Sequence, residues 1–172
     1  ATVTIADSTV PIVPEIDIQG NGTSIMDGDM TPNLTDGTDF GSVDINAASR
    51  TQLFDLWNTG TGVLNLTGNP KVTVSDRTNF SVVALPASSV AADDRTSFQI
   101  RFDPVSVGLK TATVTISNND SNENPYNFRI QGTGVKPTVS IVATDPDAYE
   151  PVPGGTYPGV YPPVYSGSFR IE

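Results

Sequence analysis

Four aspartates, Asp27, Asp29, Asp36 and Asp39, crowd one stretch, SIMDGDMTPNLTDGTD. Loop carboxylates are the hard oxygen donors that a calcium ion accepts in flexible geometry. Their spacing departs from an EF-hand loop, and Asp-Gly pairs are ordinary turn formers, so solvated Asx turns are the competing reading. Calcium is the one cofactor these residues suit. Cysteine and histidine are both absent, which removes thiolate nucleophiles, Ser-His-Asp triads, structural zinc sites and imidazole acid-base chemistry. Catalysis would have to run on carboxylates alone. Paired acids hydrolyse glycosidic bonds when they are fixed across a cleft and one pKa is raised. Such a cleft needs aromatic walls, yet aromatic residues make up only 8% of the chain. The acids also fall in Gly- and Asn-rich loops, where water keeps both members of a pair ionised. The expectation is a protein that is not an enzyme.

The elements that position these loops have the two-residue period of half-buried strands. Between Ser97 and Gly134, three segments alternate: Phe98, Ile100 and Phe102, then Ala112, Val114 and Ile116, then Tyr126, Phe128 and Ile130. Gln99, Arg101, Thr113, Thr115, Asn127 and Arg129 fall on the opposite sides. Asp103-Pro104 with Gly108, and the polar run Ser117 to Pro125, supply the turns. The pattern predicts three antiparallel strands covering one side of a core. Further strands are expected at Ala1–Asp7, at Glu15–Gln19 closed by Gly20-Asn21-Gly22, at Phe40 with Val43 and Ile45, and at Thr51–Asn58. No segment holds a sustained helical period. The fold class is therefore all-β, an immunoglobulin-like antiparallel sandwich with strand-like terminal extensions.

The chain has 172 residues, enough for one sandwich of about a hundred residues plus flanks. Its formal net charge of −10 rests on nine basic residues that do not cluster, so no nucleic-acid partner is expected. An acidic surface suits an extracellular protein. No apolar run approaches the roughly 18 residues of a membrane span, and no signal peptide is evident, so the chain reads as a processed product or an excerpt.

The segments PEIDIQGNG, TDFGSVDI, NTGTGVLNLTG, FQIRFDPVSVGLKTATVTISNND and ENPYNFRIQGTG resemble the bacterial choice-of-anchor D domain, a Hydin-type immunoglobulin-like sandwich of large secreted proteins. The resemblance covers about Pro14 to Val135 and divides the chain into 1–13, 14–136 and 137–172. It implies a sandwich of about seven strands acting as a spacer or interaction module, with no catalytic centre. On the flanks, PTVSIVATDPDAYEP and SGSFRIE resemble the first two strands of a Calx-β domain, and ATVTIAD resembles its last strand. That family collects calcium at its strand ends, which implies Asp7 and Glu150 as ligands with Asp145 and Asp147 beside them. The acidic run expected after the last strand is missing, since Ser8 and Thr9 follow Asp7.

Interaction surfaces follow from the same parity. Phe54 and Leu56 inward place Leu53, Asp55 and Trp57 outward, so the only tryptophan stands beside a leucine on a sheet face. Val3 and Ile5 at one end, and Val139 and Ile141 near the other, lie on strand-like segments without evident neighbours. Such segments pair with another subunit by strand addition. The insertion PVPGGTYPGVYPPVYSGS offers Tyr157, Tyr161 and Tyr165 on stiff backbone, suited to clamping a neighbour. The functional expectation is an extracellular structural subunit that self-associates head to tail into a fibre or surface layer. The alternative is an adhesion module, excerpted from a larger secreted protein, that recognises other extracellular proteins or glycans.

Overall fold

The computed structural model describes residues 11–46 and 48–137, all within the unit Ala1–Thr138. Alternating burial is the rule in its strands. In β4 (Arg50–Asn58), β9 (Asp94–Phe102), β10 (Gly108–Ile116) and β11 (Tyr126–Val135), every second side chain is withdrawn from solvent over most of the length. Two sheets supply those inward rows. One has the order β2 (Thr23–Ile25), β1 (Ile16–Gly20), β4, β9 and β7 (Phe80–Ala84). The other runs β3 (Asp39–Asp44), β11, β10 and β6 (Val72–Val74), and β5 (Leu64–Asn65) pairs with β8 (Ser89–Val90) separately. All these pairings are antiparallel except β3 with β11. The leading segment of the chain thus contributes β1 to one sheet and β3 to the other, which closes one flank of an immunoglobulin-like sandwich.

One expectation is corrected. β9 does not share a sheet with β10 and β11; its partners are β4 and β7. The Asp103–Val107 connection carries the chain across the sandwich, with Pro104 buried at the bend. Both sheets turn apolar rows toward one core, so the alternation of β9 is the same on either side of it. Ile45 likewise falls just past the end of β3, and the irregular Phe40/Val43 spacing has a local cause. Gly41 adopts φ 67°, and the β3–β11 register shifts beside it, so both side chains reach the core.

The core holds two aromatic groups. Phe54 stacks on Phe98 at 5.3 Å between ring centres, with Phe128 5.6 Å from Phe54. Toward the other end, Phe80 stacks on Phe102 at 4.8 Å, and Phe40 meets Phe80 edge-on at 5.6 Å. Gly132 of β11 faces the Phe102 ring, where an added Cβ would lie 2.5 Å from ring carbon. At the base of the sandwich, Asn58 is fully enclosed. Its amide donates to the carbonyls of Gly62 (2.7 Å) and Val90 (3.0 Å), and its Oδ1 accepts from the N–H groups of Glu15 and Gly60, each at 3.2 Å. One side chain therefore anchors the approach to β1, the turn after β4 and β8.

Candidate functional site

The carboxylates of the acidic stretch Ser24–Asp39 bond within the stretch and to β11. Asp29 Oδ1 accepts from Thr31 N–H (2.8 Å) and Oγ1 (2.6 Å). The buried Asp36 accepts from Thr38 N–H (2.9 Å), from the Thr38 hydroxyl (2.5 Å) and from Asn33 Nδ2 (2.6 Å). Asp39 bonds Gly41 N–H and Gln131 Nε2, and Asp27 accepts from Asn127 N–H at 2.6 Å. These are Asx turns and cross-strand ties, the competing reading of the sequence. The four acids do not converge. Asp7, Asp145, Asp147, Glu150, Val3, Ile5, Val139, Ile141, Tyr157, Tyr161 and Tyr165 lie outside the described residues.

The carboxylates that do converge are Glu15, Asp120 and Glu123, which bring one oxygen each within 4.8 Å of one another. Glu15 comes from the segment leading into β1, and the other two from the Ser117–Pro125 connection between β10 and β11. Asn and Asp side chains build that connection. Asn118 donates to the carbonyls of Ile116 and Glu123, and its Oδ1 accepts from Asp120 N–H at 2.7 Å. Asp120, 1% exposed, accepts the Ile16 N–H at 3.0 Å and so pins β1 from across the sandwich. Glu123 Oε2 is enclosed without a hydrogen-bond partner. Burial, with Glu15, Asp120, Asp27 and Asp17 adding repulsion, raises the Glu123 carboxyl from 4.5 to about 7. Beside it, Tyr126 is buried and its hydroxyl donates to the Ile25 carbonyl; its own pKa is raised by burial and by Glu123. Three hard oxygen donors are a partial set for a cation of the calcium type, which takes six to eight.

Two further features lie on the surface. On the outer face of β4, Leu53 is 49% exposed and Trp57 half-buried, as the parity predicts. Arg95 covers the indole, its guanidinium carbon 4.8 Å from the ring centre, and pairs with Asp55 at 3.5 Å. The indole N–H has no acceptor. Around the side of the molecule, β6 and β7 border an apolar groove of about 270 Å³ lined by Val72, Val74, Phe80, Val82 and Leu85.

Beyond the end of β6 the β10 margin has no described strand partner. β11 accompanies β10 along its whole length, Gly108 to Ile116, whereas β6 pairs only with Val114, Thr115 and Ile116. One further contact follows: Thr113 donates its N–H to Ser75 Oγ (2.9 Å) and accepts at its carbonyl from Ser75 N–H (3.0 Å). Main-chain groups of a strand alternate sides, so Thr111 and Leu109 direct theirs the same way as Thr113. Past Ser75 no described strand meets them. Leu109 is 60% exposed, with Val107 and Val105 exposed beside it.

The sandwich is shared with solved proteins. No protein-family model matches the chain, and no curated protein matches it in sequence. A Porphyromonas gingivalis W83 protein of unknown function superposes with a TM-score of 0.52 at 14% identity, over 74% of this chain. The chain spans half the length of that protein. The ASH / PapD-like domain of human CEP192 gives a TM-score of 0.44 at 14% identity, over 80% of this chain and 96% of that one. The Vibrio cholerae VesB protease gives 0.43 at 18% identity, over 55% and 30%. At 14% identity the likeness to the Porphyromonas gingivalis protein is one of fold alone. No helix among the described residues is long and apolar enough to cross a membrane.

Proposed function

We propose that the chain is a non-catalytic structural subunit of an extracellular assembly, whose copies join by adding strands to one another's sheets. The β10 margin beyond β6 carries this reading, because an unpaired strand edge bordered by exposed apolar side chains is a template for another strand. The net charge of −10 and the absence of cysteine suit a disulfide-free surface protein. The choice-of-anchor D resemblance points to the same class of bead-like module. The purified 172-residue chain should form linear multimers by electron microscopy and light scattering; a chain that stays monomeric across concentration and added calcium overturns the reading.

A second reading rests on the Leu53/Trp57 face, which suits an adhesion module that contacts another extracellular protein or a glycan. Trp57→Ala should then abolish capture of that partner while the chain stays folded, its melting temperature lowered by the lost Arg95 contact.

A further inference from the structure

We infer that the β6–β7 flank of the sandwich binds an extended segment of another protein, one that alternates apolar side chains and carries an aspartate or glutamate at one end. The site is separate from the β10 margin beyond β6, and the inference does not depend on strand addition between copies.

Two sheet rims form this flank. Among the described strands, β6 pairs only with β10 and β7 only with β9. Ser75 N–H donates to the Thr113 carbonyl (3.0 Å), and the Asn79 carbonyl accepts from Asp103 N–H (2.8 Å). Main-chain groups of a strand alternate sides, so Thr73 and Ser75 face β10 while Asn79 and Ser81 face β9. That turns the N–H and C=O groups of Val72 and Val74 on one rim, and of Val82 on the other, away from their sheets. Phe80 spends its own N–H on the Asp76 carbonyl (3.1 Å). The β6 rim therefore offers the longer run of free groups, a template for one more strand.

Side chains and charge set what that strand must carry. Val72, Val74 and Phe80 are buried and Val82 half-buried along the groove of about 270 Å³, with Leu85 53% exposed at its lip. A strand laid beside β6 directs every second side chain toward this groove, which favours apolar residues at alternate positions. Arg77 lines the groove and also an adjoining cavity of about 260 Å³ that holds Arg101 and Asp103 in its wall. Both arginines are exposed, and among the described residues neither has a carboxylate within 4.0 Å. Asp76, next to Arg77 in sequence, is engaged by Thr78 N–H (3.0 Å), Asn79 N–H (3.3 Å) and Asn79 Nδ2 (2.7 Å). Two unpaired guanidinium groups at the end of an apolar trough, on a chain of net charge −10, select a carboxylate. The long described strands of a second copy are already consumed in its own sheets and cannot supply the segment.

Hydrogen exchange of the 172-residue chain tests this. The probe is a short acetylated peptide with valine at alternate positions, threonine between them and aspartate at one end, made in both orientations. One control carries lysine in place of the aspartate, and another has the same residues scrambled. The amides of Val72, Val74 and Val82 should exchange freely in the chain alone and slow when the probe is added in one of its orientations. Arg77→Glu, at an exposed position, should weaken the aspartate probe by about tenfold, leave the melting temperature unchanged and make the lysine control the better ligand. Slowing by the scrambled control as great as by the probe overturns the inference, as does an unchanged affinity in Arg77→Glu. Slowing at Leu109 and Thr111 instead of at the groove overturns it and assigns the peptide to the β10 margin. Amides of the flank that are already slow before any peptide is added mean that the chain fills its own groove or that of a second copy, which also overturns it; so does the absence of any slowing.

Discussion

Arg95 lies across the β4–β9 ladder from Trp57, its guanidinium carbon 4.8 Å from the centre of the indole ring. A planar cation over the negative face of the ring shields apolar surface that would otherwise stand open on a solvated sheet. Arg95→Ala should cost about 0.5–1 kcal/mol, most of it from the ring rather than from the surface pair with Asp55. A double-mutant cycle with Trp57→Leu in urea unfolding reads the coupling; a coupling of zero sinks the stacking account.

Asn58 uses both amide hydrogens and its oxygen in four main-chain bonds while wholly enclosed. Asn58→Leu keeps the volume but strands two N–H groups and two carbonyls, each worth about 1–3 kcal/mol when left unpaired and dry. The variant should lose about 3 kcal/mol or more, measured by thermal melting. A loss under about 1 kcal/mol would mean that water takes over those bonds.

Glu123 holds its proton to about pH 7 in the folded chain, against an ordinary value of 4.5. Between those values the native state keeps a proton that the unfolded chain has released. Stability therefore falls as pH rises from about 4.5 to 7 and levels off above. Solvent screening of this half-buried group limits the fall to on the order of 1 kcal/mol. Glu123→Gln should abolish that slope and raise the melting temperature at pH 8. Melts taken from pH 4 to 8 on both proteins test this, and an unchanged slope in the variant rejects it.

Gly132→Ala places a methyl group against the Phe102 ring, which is held by Phe80 and Phe40. Overpacking of this kind costs about 1–3 kcal/mol. Pairing it with Phe102→Leu should recover part of the loss. Urea midpoints give the comparison, and a double variant no better than the sum of its parts refutes the clash.

The inward and outward residues of the long strands were legible because a two-residue period survives any choice of neighbour. For the same reason it could not say that β9 belongs opposite β10. Local chemistry held more than was taken from it. Asn21 and Gly22, at φ 51° and 76°, form a two-residue turn that folds Thr23–Ile25 back onto β1. Asn-Gly is a strong hairpin signal, and the density of aspartates after it masks the strand it opens. The run Ser117–Pro125 is Asn/Asp turn chemistry in sequence and in structure. Its meeting with Glu15 was not legible, because it depends on how the β10–β11 connection lies over the start of β1, and Asp120 bonds Ile16 across 104 positions of sequence. Density of acids in sequence pointed to Asp27–Asp39, where turn bonds absorb them; proximity in space gathered a different set.

β11 occupies the middle of its sheet, with β10 on one side and β3 on the other. It is also the last strand of the described body to be synthesised. Until Tyr126–Val135 has emerged, β3 has no strand partner and Phe54 lacks the ring of Phe128 beside it. A nascent chain halted at Asn119 should accordingly remain protease-sensitive throughout, and completion of the ten residues of β11 should convert the whole body to resistance in one step.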